Sequence, residues 1–177
     1  SLKFLKTLGF SHLDDEKDNN IGIALGGLTH GATPLEMAAA YGAIANDGVY
    51  IEPTFYTKVV DGNGNTVLEP KQESRTVMSA SAAYVVKEVL TQPVKSGTST
   101  TLAMSGMSVA AKTGTTNKDF DRWMCGFTPY YTASVWYGYD NSEYIYGWSL
   151  SPAAQIWAGV MKPIHAGLEK RTFAQTR

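Results

Sequence analysis

Hydrophobic and polar positions along the chain change period several times, and each change marks an element. Ser1 to Gly9 has helical spacing of its apolar residues and a glycine stop, so it reads as the last turns of an amphipathic helix. Residues 11–32 lose that periodicity. The acidic run from His12 to Asn20 has no ligating spacing and reads as a solvated loop. Thr33, Pro34 and Glu36 then form a capping box with proline at the first helical position. The body, Leu35 to Ala45, is small and apolar nearly all round, which predicts a helix buried against several elements and ended at Asn46-Asp47-Gly48. Tyr50 to Val60 reads as extended, Asp61 to Asn65 as a turn, and Thr66 to Glu69 as a return strand, together a peripheral hairpin.

A second helix is expected from near Ser79 through Leu90, stopped by Pro93. The Gly/Ser/Thr-rich connection from Ser96 to Ser108 is expected to be mobile. Arg122–Thr128 and Tyr131–Tyr139 are aromatic and β-branched, which predicts an antiparallel hairpin. With Ser108–Thr115 it makes a three-stranded unit. The aromatic side chains sit at strand spacing, and packing explains them better than a ligand platform. Ser151, Pro152 and Gln155 suggest a second capping box. The helix behind it, from Ala153 to about Met161 or beyond, carries Ile156, Trp157 and Val160 on one face, and Pro163 is expected to kink or end it.

Composition narrows the function. The chain has 177 residues, enough for one domain with a real core, and 44% hydrophobic and 18% charged residues are globular values. A formal net charge of −1 without a basic block gives nucleic-acid binding no support. Apolar runs such as Met37 to Ala45 are too short to span a bilayer. Cys125 stands alone, which excludes an internal disulfide, and no Cys/His set has metal-ligand spacing. His12, His30 and His165 are scattered and read as structural or exposed. Both ends look cut: Ser1 is no natural start, and Arg177 ends abruptly.

The chemistry concentrates in Ser108 to Asn117, where a short apolar run leads into Lys112-Thr113-Gly114-Thr115-Thr116. A strand that ends in a compact cation, hydroxyl donors and bare backbone is made to receive an anion. Two motifs fit. Gly106 to Thr113 is one residue from a phosphate loop, with Ala111 in place of the second glycine. That motif needs a helix next, and Gly-Thr-Thr-Asn is poor helix material. The other is the Lys-Thr-Gly element of penicillin-recognising serine acyltransferases.

Several further stretches, in order, make the chain resemble the transpeptidase domain of class A penicillin-binding proteins. They are Ala24–Gly27, Thr33–Ala38, Ala45–Gly48, Ser96–Thr98, Ala111–Thr116, Asp121–Pro129, Val135–Asp140 and Pro152–Trp157, covering most of residues 1–170. The family's Ser-x-x-Lys and Ser-x-Asn elements are absent: no serine has lysine three residues on or asparagine two residues on. The chain therefore resembles the C-terminal part of that domain, beginning just after the second element, with residues 1–177 as one unit and the nucleophile elsewhere.

The resemblance implies an α/β fold of the α+β type, an antiparallel sheet flanked by helices. It implies acyl transfer in which a serine attacks the D-Ala-D-Ala end of a peptidoglycan stem peptide, a step that β-lactams trap. Lys112 would place positive charge beside the serines and the donor carboxylate. Thr113 and Thr115 would hold that carboxylate, and the Thr115 N–H would be one oxyanion donor. Gly114 would let substrate lie along the strand, and Thr116 would complete the substrate-binding stretch. No cofactor is implied. The implied partners are stem peptides, β-lactams and the N-terminal part of the domain, possibly as a separate chain, at the extracytoplasmic face of a bacterial membrane. The isolated chain is expected to be inactive. The alternative is a non-catalytic binding module on the same fold, for cell-wall peptides or a protein partner.

Overall fold

The computed structural model describes residues 1–147 and 151–174. The antiparallel hairpin expected from the aromatic pattern forms as β6 (Asp121–Phe127) and β7 (Thr132–Gly138), and β5 (Ala110–Thr115) pairs with β6 to give a sheet of order β5-β6-β7. Helix α2 (Pro34–Ala45) packs on one face of this sheet, and α4 (Pro152–Ile164) on the other. The architecture is α+β, as the resemblance implied.

The α4 face holds the larger core. Trp157 is completely buried there among Val109, Ala111, Met124, Ala153 and Met161, and its indole N–H donates to the Ala133 carbonyl at 3.1 Å. Gly126 makes this packing possible: a Cβ there would come within 2.9 Å of the Ala110 carbonyl oxygen and 3.2 Å of the Trp157 ring. A second cluster, Leu8, Phe10, Ala40, Ala43 and Tyr50, joins α1 (Leu2–Thr7), α2 and β1 (Val49–Ile51).

Helix α2 starts with the expected box. The Thr33 hydroxyl accepts from the Glu36 N–H at 3.2 Å, and Glu36 accepts the Thr33 N–H at 2.8 Å. Glu36 also accepts the Ser11 N–H and hydroxyl, each at 2.8 Å, which ties the preceding loop to the helix. Only Ala40 and Ala43 of α2 are buried, so the all-apolar surface is less covered than its composition predicts. The small residues let one narrow stripe approach the sheet and leave the rest half exposed.

Other expectations need correction. The acidic loop is not wholly solvated: Asp18 is buried and accepts the Thr29 N–H and hydroxyl at 2.7 and 2.6 Å and the Asp14 N–H at 2.9 Å. A carboxylate spanning three donors closes residues 14–29 into one structured loop. The peripheral hairpin is shorter than expected, β2 (Val59–Val60) with β3 (Thr66–Leu68). β1 pairs instead with β4 (Ser74–Thr76), a strand too polar to announce itself.

Pro93 does not stop the second helix. α3 runs Ala80–Ser96 with Pro93 in its last turn, where losing one backbone donor is tolerable, and the Pro93 carbonyl accepts from Gly97 and Ser99. Pro163 sits in the last turn of α4, which ends at the next residue, Ile164, as expected. The connection after α3 is anchored by a 3-10 turn, Thr100–Leu102, whose Leu102 is buried in the α4-face core. The second capping box does not form: Ser151 makes no side-chain cap hydrogen bond, and the third helical position, where the reciprocal glutamine would have to stand, is Ala154.

Candidate active site

The Lys-Thr-Gly stretch lies on β5, an edge strand paired only with β6 among the described residues. The Thr116 N–H donates to the Asp121 carbonyl at 3.2 Å, so in an antiparallel ladder the backbone groups of Thr115 and Thr113 point to the other side, away from β6. That open edge therefore presents N–H and C=O groups ready for an added strand. Gly114 sits between them. A Cβ there would meet the Trp123 Cβ at 3.1 Å, so the position is tight on the sheet side as well as bare.

Lys112 is exposed and stands opposite Cys125. Its ammonium donates to the Thr113 carbonyl at 2.8 Å, and no carboxylate lies within ion-pair distance among the described residues. The neighbours on that face are neutral. Burial pushes the Cys125 thiol up, against a smaller opposing effect of its contact with Ser134, and burial also raises the Tyr41 hydroxyl, helped by Cys125. Among the described residues Lys112 is thus a cation with two unused donors at an open strand edge, the condition for taking up an anion.

The hydroxyls divide into separate roles. Thr113 Oγ1 lies 3.2 Å from Thr98 Oγ1, so the Ser96–Thr98 segment and the β5 strand, 15 residues apart, meet at the edge. Thr115 Oγ1 accepts from Arg122 Nη1 at 3.2 Å. Thr116 is committed to the β5–β6 turn: it donates to Asp121 Oδ2 at 2.8 Å and accepts the Asp121 N–H at 2.9 Å. The Thr116 side chain, which the resemblance assigned to substrate binding, is thus engaged within the turn. In the same turn Lys118 and Asp119 take left-handed φ values of 64° and 54°. Asp119 binds Arg122 Nη2 at 3.2 Å, and Asp121 Oδ1 accepts from the Trp136 indole at 2.8 Å.

Arg122 is the residue that sequence reasoning passed over. It was visible only as part of a strand, and its meeting with Thr115 follows from the register of β5 on β6. Among the described residues no three His, Cys, Asp or Glu side chains come together as a metal site.

Comparison with known proteins gives the family and the fold. The family described as the penicillin binding protein transpeptidase domain matches residues 8–162. Penicillin-binding protein 1A of Clostridium botulinum is 40% identical over 169 residues, 95% of this chain and 20% of that protein. The chain thus spans about a fifth of the length of that relative. The crystal structure of penicillin-binding protein 1A from Haemophilus influenzae aligns with a TM-score of 0.81 at 22% identity, over 98% of this chain and 32% of the other, a likeness of fold. PonA1 of Mycobacterium tuberculosis, in complex with penicillin V, aligns with a TM-score of 0.78 at 26% identity, over 98% of this chain and 51% of the other.

Proposed function

Because the chain belongs to the transpeptidase-domain family of class A penicillin-binding proteins, we propose that residues 1–177 form the Lys-Thr-Gly half of a serine D,D-transpeptidase site that cross-links peptidoglycan stem peptides. The observation that carries this reading is Lys112, an ammonium with no carboxylate partner among the described residues, on a strand whose outer edge is open at Thr113 and Thr115. The N-terminal part of the same domain, on a longer chain or a separate one, supplies the nucleophilic serine. The parent protein works at the extracytoplasmic face of the membrane. No described helix is long and apolar enough to cross a bilayer.

In this reading the donor peptide lies along β5 as an added strand, held by the outward backbone groups of Thr113 and Thr115. Its terminal carboxylate meets the Lys112 charge and the threonine hydroxyls. The serine oxygen attacks the penultimate carbonyl carbon, the peptide C–N bond breaks, and the departing D-alanine nitrogen takes up a proton. An amine of a second stem then displaces the serine and forms the cross-link, so that one hard step becomes two easier ones. The Thr115 N–H faces the developing oxyanion, and losing one such donor costs about 10²–10³ in rate. β-Lactams enter by the same route and leave the serine acylated.

The test is denaturing mass spectrometry of the complete transpeptidase domain after incubation with a penicillin. The drug's mass should appear on a polypeptide segment outside residues 1–177 and should be lost with Lys112→Ala. Labelling that survives Lys112→Ala at the unsubstituted rate refutes the assignment. Failure of the complete domain to take up drug favours the non-catalytic binding module.

A further inference from the structure

Of the hydroxyls along β5, that of Thr115 is set apart by its neighbour. An arginine carries only donors, so the 3.2 Å contact from Arg122 Nη1 can only occupy a lone pair of Thr115 Oγ1. The Thr115 proton must then point elsewhere. The other hydroxyls have different fates: Thr116 donates to Asp121, and Thr113 and Thr98 share one contact in which either is the donor. Thr115 is exposed at the strand edge, and its proton meets no acceptor among the contacts found for the described residues.

Arg122 is itself well fixed. It sits directly across from Thr115 in the ladder, between β5 and Tyr137 of β7. Its Nη2 is held by Asp119 at 3.2 Å, and the side chain is largely covered. The Asp119 carboxylate offsets much of the guanidinium charge. What reaches Thr115 is therefore an oriented donor more than a free positive charge.

We propose that Arg122 is a positioning residue that biases the Thr115 hydroxyl to act as a donor to the carboxylate of the ligand on β5. The inference rests on the transpeptidase reading and adds a residue to it. Arg122 need not touch the ligand. By occupying one of the two lone pairs of Oγ1 it reduces the orientations in which the hydroxyl would present a lone pair to an anion, and it polarises the O–H bond. The arrangement selects ligands that end in a carboxylate over those that end in a neutral ester or amide. An ester oxygen accepts far more weakly than a charged one.

The experiment compares acylation of the complete transpeptidase domain by benzylpenicillin and by its methyl ester, in which the carboxylate is blocked. The readout is the ratio of the two second-order rate constants, which loss of folded protein does not move. Arg122→Leu should lower the acid-to-ester ratio by about tenfold, the value of one charge-assisted hydrogen bond. Arg122→Lys, which keeps a donor, should recover part of it. Adding Arg122→Leu to Thr115→Val should lower the ratio no further than Thr115→Val alone. An unchanged ratio in Arg122→Leu, or an additive loss in the double variant, overturns the proposal while leaving the transpeptidase reading intact. If the unsubstituted domain is acylated by neither compound, that reading fails, and the role of Arg122 fails with it.

Discussion

Replacing Glu36 by glutamine should remove a pH-dependent part of the fold's stability, and its size follows from the contacts at the start of α2. Burial alone would favour the protonated acid. Against it, the N–H groups and hydroxyls of Thr33 and Ser11 all donate to the carboxylate, and the balance holds it at about 2, below the ordinary 4.5. The folded pKa is depressed, so the stabilisation is fully present above pH 4.5 and is lost as the pH falls toward 2. At about 1.4 kcal/mol per unit the shift corresponds to about 3 kcal/mol at neutral pH, of which about 2 kcal/mol has gone by pH 3. Glu36→Gln keeps the shape and loses the charge, and its amide nitrogen must face donors. The variant should therefore be about 2–3 kcal/mol less stable at pH 7. The assay is urea unfolding followed by tryptophan fluorescence from pH 7 to pH 3. Asp14, Asp18 and Asp61 are held low as well and move both curves in the same direction, so the quantity to read is the gap between the two proteins. That gap should close as the pH drops from 5 to 3. Parallel curves with a constant gap would refute the account.

Other substitutions separate fold from chemistry. Trp157→Ala removes the largest fully buried side chain among the described residues and its bond to Ala133, and should cost about 3–5 kcal/mol, read as a fall in unfolding midpoint. Asp47→Asn leaves the ammonium of Lys87, which is 4% exposed, without its ionic partner and should cost about 3 kcal/mol; combining it with Lys87→Met should restore most of that in a double-mutant cycle. Gly126→Ala places a methyl against the Ala110 carbonyl and the Trp157 ring and should cost about 1–3 kcal/mol by the same measurement. Lys112→Ala removes a single hydrogen bond among the described residues, to the Thr113 carbonyl, and should change stability by less than about 0.5 kcal/mol while abolishing acylation of the complete domain.

What could be read from the sequence was whatever repeats with a period or follows a local rule. The hairpin of β6 and β7 was legible because aromatic and β-branched residues fill it, and α2 because Thr33, Pro34 and Glu36 state their roles within four positions. The strand carrying Lys112 was legible through its motif and its neighbours. Burial decided by distant partners was not legible. Asp18 looks like its acidic neighbours until Thr29 closes over it, and β4 has no apolar alternation because all three of its residues are exposed. Pro93 misled because a proline near a helix end deletes a bond the last turn can lose, whereas α4 does end one residue after Pro163. Arg122 escaped for a different reason: its role depends on which residue of β5 stands opposite, and a shift of one position would point it to the other face.

The open side of β5 has a cost as well as a use. Unpaired N–H and C=O groups on an edge accept any extended chain, including β5 of another copy, and that is a common origin of edge-to-edge aggregation. A lysine in the middle of such a strand is the usual safeguard, since two copies in antiparallel register would bring like charges together without counter-ions. Lys112 thus guards the edge that it serves. A variant that neutralises it should remain folded and yet become prone to self-association, so that the price of removing the charge appears first as a loss of solubility on concentration.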